Sequence, residues 1–408
     1  MCRLFLKKFI KLKYLLPIVI IFSSIIIIQV INLLSPNILE LTELSKCPAC
    51  YGTTACAKIF DSDLKFEFYD LFTTLSHLFA AKNVFYATLE DTRVVLKKLA
   101  HDNEFYLFDR MICESEKFKH LCIDNINKNS NVKIFDEEYY LSLIASEVSL
   151  NVTRGNSKLI LCPNTGHLKN IFNLSQKLSH TFYENELINL WTLIQINPEP
   201  IILQILKADE GWPVAKFYGA CGRLVIEEYA GLPLTVYYQE GWLRRAKIAI
   251  RLLESAHEFT FRNPEYSFYL TDLSSDNIVI DESDNPVFID LENIIILHRN
   301  IPTKEQPQHW SSIHTSDSID CDNCFSFSPN DICSHHISDH NYYSVCQYIL
   351  SSKLNENGFL HSIPSEILKN YPELKIMIDE CASPRRSKSR IEAGNQLKEI
   401  LQRILNEN

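Results

Sequence analysis

Glycine is scarce in this chain, with ten residues in 408 and none between Gly52 and Gly155. A loop that cradles phosphate through closely spaced glycines is therefore excluded from that interval. An excess of positive charge is also missing. The net charge is -10, and five of the 40 basic residues fall within the first 13 (Arg3, Lys7, Lys8, Lys11, Lys13), leaving 35 basic against 50 acidic residues beyond them. That balance excludes a nucleic-acid binder, which needs a basic footprint. There is no internal repeat and no low-complexity tract. The chain is 46% hydrophobic and 22% charged, enough apolar material for a packed core. The length predicts two or three structural units or one bilobal domain of enzyme size.

The N-terminus carries the compartment signal. Leu15 to Leu34 is an uncharged run, LLPIVIIFSSIIIIQVINLL, and about 20 residues at about 1.5 Å each span a hydrocarbon core. Positive charge precedes it, so the tail 1–14 is expected in the cytosol and the rest in the lumen. The segment reads as a type II signal anchor or a long signal peptide. The length of the run and the lack of an A-x-A-like site favour the anchor. Of 13 cysteines, all but Cys2 lie beyond it, a number suited to disulfides. The spacings Cys47-x2-Cys50 and Cys321-x2-Cys324 also admit a zinc site. Asn151-Val-Thr153 and Asn173-Leu-Ser175 are glycosylation sequons consistent with a lumenal domain.

Residues 35–60 (with SKCPACYGTTACAKIF) read as a Cys-rich stalk stapled by its cysteines to the adjoining domain. Residues 61–230 read as a strand-rich half with a helical insertion over about 100–180. A β-hairpin is expected with its turn near Glu90 and Asp91, helices over Glu137–Leu150 and Tyr183–Ile196, and a second hairpin in WPVAKFYGACG and RLVIEEYAG. Residues 231–408 read as mainly helical, with an amphipathic helix over Arg244–Thr260 and two short strands, Ile278–Ile280 and Val287–Ile289. The fold class expected is α+β and bilobal.

The polar residues that carry chemistry cluster in YLTDLSSDNIVI, Tyr269 to Ile280, and VFIDLE, Val287 to Glu292. Asp272 and Asn277 stand five apart, as in the H-R-D-x-x-x-x-N loop of protein kinases. Asp290 follows an apolar strand, where a kinase has the Asp of D-F-G. Phosphoryl transfer needs a carboxylate for the attacking hydroxyl and oxygen ligands for a metal ion. Upstream, VVLK at Val94–Lys97 matches the β3-lysine pattern, with Lys98 pointing to the opposite face. Glu186 is the expected ion-pair partner of Lys97, with Glu184 and Glu104 as fallbacks. Glu227 to Tyr229 would pass an adenine pocket with backbone groups. Asp339 and Arg390 match structural positions of the kinase C-terminal lobe, Asp339 as the anchor of the catalytic loop.

The phrases CPACYGT, VVLKKL, NPEP, DEGWP, GACGR, LTDLSSDN, DLEN, DHNYYSVCQ and IDECASP together resemble the divergent protein kinase domain 2 family, secretory-pathway kinase-like proteins also called deleted-in-autism-1-like. The resemblance runs from about Cys47 to the C-terminus. It implies a bilobal protein-kinase-like fold, a disulfide-rich lumenal domain, and residence in the ER, Golgi or secreted space. It leaves activity open between three readings. One is a kinase using ATP with Mg²⁺ or Mn²⁺ on lumenal protein hydroxyls. The others are a pseudokinase serving a receptor or lumenal partner, and nucleotidylation on the same scaffold. The chain departs from the kinase pattern where Leu270 and Thr271 replace His and Arg, which argues against control by activation-loop phosphorylation. Glu292 replaces the D-F-G glycine, where a positive φ would be costly.

Overall fold

The computed structural model describes residues 37–62, 64–67, 84–116, 159–175, 184–317, 326–351, 358–385 and 389–407, with isolated positions between 119 and 145. The expected cytosolic tail 1–14, the apolar segment Leu15–Leu34, most of the helix expected over Glu137–Leu150, Asn151, Cys321 and Cys324 lie outside them. No helix among the described residues is long and apolar enough to cross a membrane.

The first half contains α1 (Ile38–Thr42), α2 (Cys56–Asp61), β1 (Lys65–Phe66), β2 (Val84–Leu89), β3 (Thr92–Lys97), α3 (Asp102–Glu114), β4 (Leu159–Cys162), α4 (Leu168–Ser175), α5 (Glu184–Ile196), α6 (Glu199–Ile205), β5 (Phe217–Cys221) and β6 (Leu224–Glu228). Strands β1-β2-β3-β6-β5 form one antiparallel sheet in that order. The β2–β3 hairpin turns at Glu90 and Asp91, both with positive φ (49° and 64°), the geometry of a tight two-residue hairpin turn. Alternation along β3 puts Val94 and Leu96 in a small core with Ala55, Ile59, Leu224 and Ile226 and turns Lys97 to the other face.

The second half contains β7 (Leu232–Pro233), α7 (Trp242–Phe261), β8 (Tyr266–Leu270), β9 (Ile278–Ile280), β10 (Pro286–Phe288), β11 (Ile294–His298), β12 (Ile313–His314), α8 (Pro329–Cys333), β13 (Ile337–Ser338), α9 (His340–Tyr343), a π turn at Ser344–Leu350, α10 (Ser365–Asn370), α11 (Glu373–Ala382) and α12 (Arg390–Glu407). Helix α7 buries Ile248, Leu252, Ala256 and Phe259 on one stripe, each large side chain contributing about 1.5–3 kcal/mol. Asn263-Pro264 comes next and prevents its continuation.

The segment expected as a stalk is stapled to the first sheet, by Cys56–Cys221 and by backbone hydrogen bonds. Tyr51 N–H donates to Gly222 O and Gly222 N–H to Gly52 O, both at 2.8 Å. Arg223, buried, donates to Ala49 O (3.1 Å), Lys46 O (3.0 Å) and Glu43 (3.2 Å), and pairs with Asp109. Within the expected helical insertion, Leu159–Cys162 is instead strand β4, parallel to β11 in a sheet ordered β4-β11-β8. Its LILC run is apolar at every position, so periodicity could not separate strand from buried helix.

Among the described residues, five disulfides join Cys47–Cys50, Cys56–Cys221, Cys113–Cys122, Cys162–Cys333 and Cys346–Cys381. A bridge thus takes the place of zinc at Cys47-x2-Cys50. Helix α12 crosses α9 at Gly394, where an added Cβ would sit 2.6 Å from the Tyr342 ring. Alanine in a helix ordinarily gains about 1 kcal/mol over glycine. Here Gly394→Ala is expected to destabilise by about 1–3 kcal/mol through overpacking. A thermal melt checks this, and a raised melting temperature would refute the close approach.

Candidate active site

Lys97 lies at the end of β3, buried with its ammonium 2.7 Å from Glu227 Oε2 and 3.0 Å from Glu199 Oε1. Glu227 is on β6, where it pairs across with Val95. Glu199 is the first residue of α6, and its Oε1 also accepts the Leu291 N–H at 3.2 Å. Lys98 points away and pairs with Glu43 (3.0 Å) and Asp102 (3.3 Å).

The expected partner Glu186 is therefore corrected to Glu199. Glu186 is exposed on α5, a full helix before the one that reaches Lys97. Glu184 opens that same helix, and Glu104 accepts the His101 N–H at the start of α3. The signal for Glu199 was in the sequence: Asn197-Pro198-Glu199-Pro200 ends α5 and also opens α6. Asn197 Oδ1 accepts the Glu199 N–H at 2.9 Å, the contact two residues on by which Asn commonly forms a turn. In the segment expected to pass an adenine pocket with backbone groups, the Glu227 side chain pairs with Lys97 and the Tyr229 N–H donates to Arg93 O at 3.3 Å. The Tyr229 ring carries the Arg93 guanidinium at 3.8 Å.

Asp272, Asn277 and Asp290 line one cleft. Strand β8 delivers Asp272, and its end is fixed by Asn341 Oδ1, which accepts the Leu270 N–H at 3.0 Å, and by His340 Nε2, which donates to Leu270 O at 3.1 Å. Asp339, expected to anchor this loop, instead accepts the Ser316 N–H (2.7 Å) and pairs with Arg390 (2.6 Å). The anchoring falls to the two residues after it. Asn277 Nδ2 donates to Asp272 O at 3.0 Å, and Asn293 Nδ2 lies 3.5 Å from Asp272 Oδ2.

Asp290 adopts φ +61°, a left-handed conformation that non-glycine residues hold only where the surroundings impose it. The positive φ that would be costly at Glu292 is absent there and falls on Asp290 instead. Glu292 instead accepts from Asn197 Nδ2 at 2.5 Å.

The electrostatics are crowded. Burial alone would lower the Lys97 ammonium, but Glu199 and Glu227 outweigh it and hold its pKa well above the usual range. Burial, then repulsion from Glu199, pushes Glu227 up to about 7. Asp290 is likewise pushed up to about 7 by burial and then by Glu199, with Glu292 and Asp272 adding. One ammonium cannot balance the three carboxylates Glu199, Glu227 and Asp290. Glu199 Oε2 and Glu227 Oε1 are buried without a hydrogen-bond partner. Uncompensated negative charge and hard oxygen donors fit a divalent cation. Among the described residues no group of three or more His, Cys, Asp or Glu side chains is arranged to hold one. Mg²⁺ commonly takes one or two protein ligands and completes its shell with phosphate and water.

A strand lysine clamped by a helix glutamate, with a D-x-x-x-x-N loop and an aspartate after β10, sits in a protein-kinase-like domain of mixed helices and sheets. Residues 190–384 match the family model described as the protein-kinase domain of FAM69. The chain is 32% identical over 415 residues to human divergent protein kinase domain 2A, covering 94% of each. It is 32% identical to the Xenopus tropicalis protein of that name, covering 89% of this chain and 87% of the relative. With human divergent protein kinase domain 2B it shares 24% over 250 residues, 57% of this chain and 55% of the relative. The chain belongs to the divergent protein kinase domain 2 family.

Proposed function

We propose that this protein is a secretory-pathway phosphotransferase that moves the terminal phosphate of ATP to hydroxyls of lumenal or extracellular proteins. The observation that carries the reading is the Lys97–Glu199 contact, with Glu199 also holding the Leu291 N–H beside Asp290. That contact ties β3, α6 and the segment after β10 together. Asp272, exposed at the cleft, orients the attacking hydroxyl and takes its proton. Lys97 meets the phosphates of the nucleotide. Asn277 and Asp290 would hold Mg²⁺ or Mn²⁺, which when bound neutralises phosphate charge. Leu15–Leu34 would anchor the protein with its catalytic domain in the lumen, and Asn151 and Asn173 would carry glycans.

A second reading, a pseudokinase that binds a lumenal or receptor partner, is favoured by one observation. No glycine lies between Gly52 and Lys97, so no closely approaching glycine backbone precedes the lysine to cover phosphate.

The two readings separate in a thermal shift of the full-length chain in mild detergent, with ATP, with Mg²⁺ or Mn²⁺, and with both. A native-state ligand raises apparent stability by mass action, about 2.7 kcal/mol at 100 times Kd. The phosphotransferase reading expects a metal-dependent ATP shift that Asp290→Ala abolishes. A folded protein with no shift in any condition supports the pseudokinase.

A further inference from the structure

Lys97, Glu199 and Asp290 ride on three separate elements, β3, α6 and the loop after β10. One buried side chain joins α6 to the segments that directly follow Lys97 and Asp290. Asn197 is 1% exposed. Its Oδ1 accepts the Glu199 N–H at 2.9 Å, and its Nδ2 donates to Glu292 Oε2 at 2.5 Å and to Leu99 O at 3.1 Å. Leu99 lies two residues beyond Lys97, and Glu292 two beyond Asp290. The hydrogen-bonding set demands an amide: one acceptor facing a backbone N–H, and two donors facing a carboxylate and a carbonyl. Aspartate has the same shape but supplies no donor when ionised.

We propose that the Asn197–Glu292 contact is a latch that holds the lysine, the helix glutamate and the metal-site aspartate in their assembled arrangement. Asn197 is the positioning residue. Glu292 stands where protein kinases have the glycine of D-F-G, and glycine there has no side chain to reach Asn197. The latch also supplies what Thr271 removes. Without the arginine that couples a catalytic loop to a phosphorylated activation segment, assembly is set by a contact internal to the fold. Its meaning as regulation rests on the phosphotransferase reading, whereas its geometry does not.

The test follows amide hydrogen exchange of the full-length chain without nucleotide, read over residues 286–293, which include the Leu291 N–H held by Glu199. Asn197→Asp sets a carboxylate against Glu292 in a buried place and removes both donors. Exchange over 286–293 is then expected to quicken about tenfold or more while α7 stays protected. Adding Glu292→Gln to the same chain returns a donor facing the new carboxylate and is expected to restore protection. Glu292→Gln alone still accepts from Asn197 and is expected to exchange as wild type. Should Asn197→Asp not fold, Glu292→Ala reads the same contact and is expected to quicken exchange over the same residues.

Wild-type exchange in Asn197→Asp, or in Glu292→Ala, would overturn the latch. So would quickened exchange that Glu292→Gln fails to repair, which would leave Asn197 a structural residue only. If the repair is seen but no variant, wild type included, shifts with ATP and Mn²⁺, the latch stands and the phosphotransferase reading falls.

Discussion

Replacing Lys97 with methionine is expected to lower the stability of the folded chain by about 3–5 kcal/mol, whether or not the protein binds nucleotide. The substitution removes the one cation between Glu199 and Glu227, both buried, and leaves two carboxylates facing each other with spare oxygens already unpaired. The loss should depend on pH. Glu227 titrates at about 7 in the fold against an ordinary value of 4.5. A raised folded-state pKa means that the fold holds the proton more tightly than the unfolded chain does. Stability linked to it is therefore fully present below about pH 4.5 and declines as pH rises through about 7. Without Lys97 that decline steepens, so the deficit against wild type should be smaller at pH 5 than at pH 8. Denaturant melts at the two pH values measure it, and Glu227→Gln in the same chain should recover part of the loss. A deficit equal at both pH values would show that the carboxylates do not outnumber their cation. The consequence is practical, because the usual lysine substitution would confuse loss of binding with loss of fold. Asp290→Ala removes one of the three crowded carboxylates and leaves Lys97 paired, so it tests binding more cleanly.

Arg390→Ala is expected to have a similarly large effect in the C-terminal half. The guanidinium is 2% exposed. It donates to Asp339 (2.6 Å), Ser316 O (2.8 Å), Cys381 O (3.0 Å) and Ala382 O (3.5 Å). Deleting it strands the buried Asp339, which burial already raises above the ordinary carboxylate range despite Arg390. Breaking such a pair costs about 3–5 kcal/mol. Loss should reach the candidate site, since Asp339 directly precedes His340 and Asn341, which fix the end of β8 before Asp272. Arg390→Lys should not rescue it, because a single ammonium cannot reproduce the planar fork that meets four acceptors. Yield of folded protein and a thermal melt check both variants. A lysine variant as stable as wild type would contradict the role given to the fork.

Both predictions concern charges whose partners are distant in sequence, and that is where reading the chain by itself fell short. Lys97 stands out in VVLK because a known residue order marks it, whereas Leu96 and Leu99, both apolar, leave the strand register open. Asp272, Asn277 and Asp290 stood out because their spacing belongs to a loop, a strand and a turn that are contiguous in the chain. The β2–β3 hairpin, the β5–β6 hairpin, α7 and the C-terminal helices were legible for the same reason, since turn chemistry and apolar period act over a few residues. Glu199 is hidden because Asn197-Pro198-Glu199-Pro200 carries the signal of a helix stop and also begins the next helix.

The sequence by itself determined the kinase-like order of charged residues, the absence of a glycine loop, and the hairpins and helices that local periodicity specifies. Only the tertiary structure decided that Glu199 and Glu227 share Lys97, that β4 joins β11, that residues 37–61 pack against the first sheet, and that Asn197 reaches Glu292. Each of those joins residues some 95 to 180 apart in the chain or adds a strand to a sheet built elsewhere. Local propensity carries no information about such pairings, which are selected by burial and by the need of each buried charge for a partner.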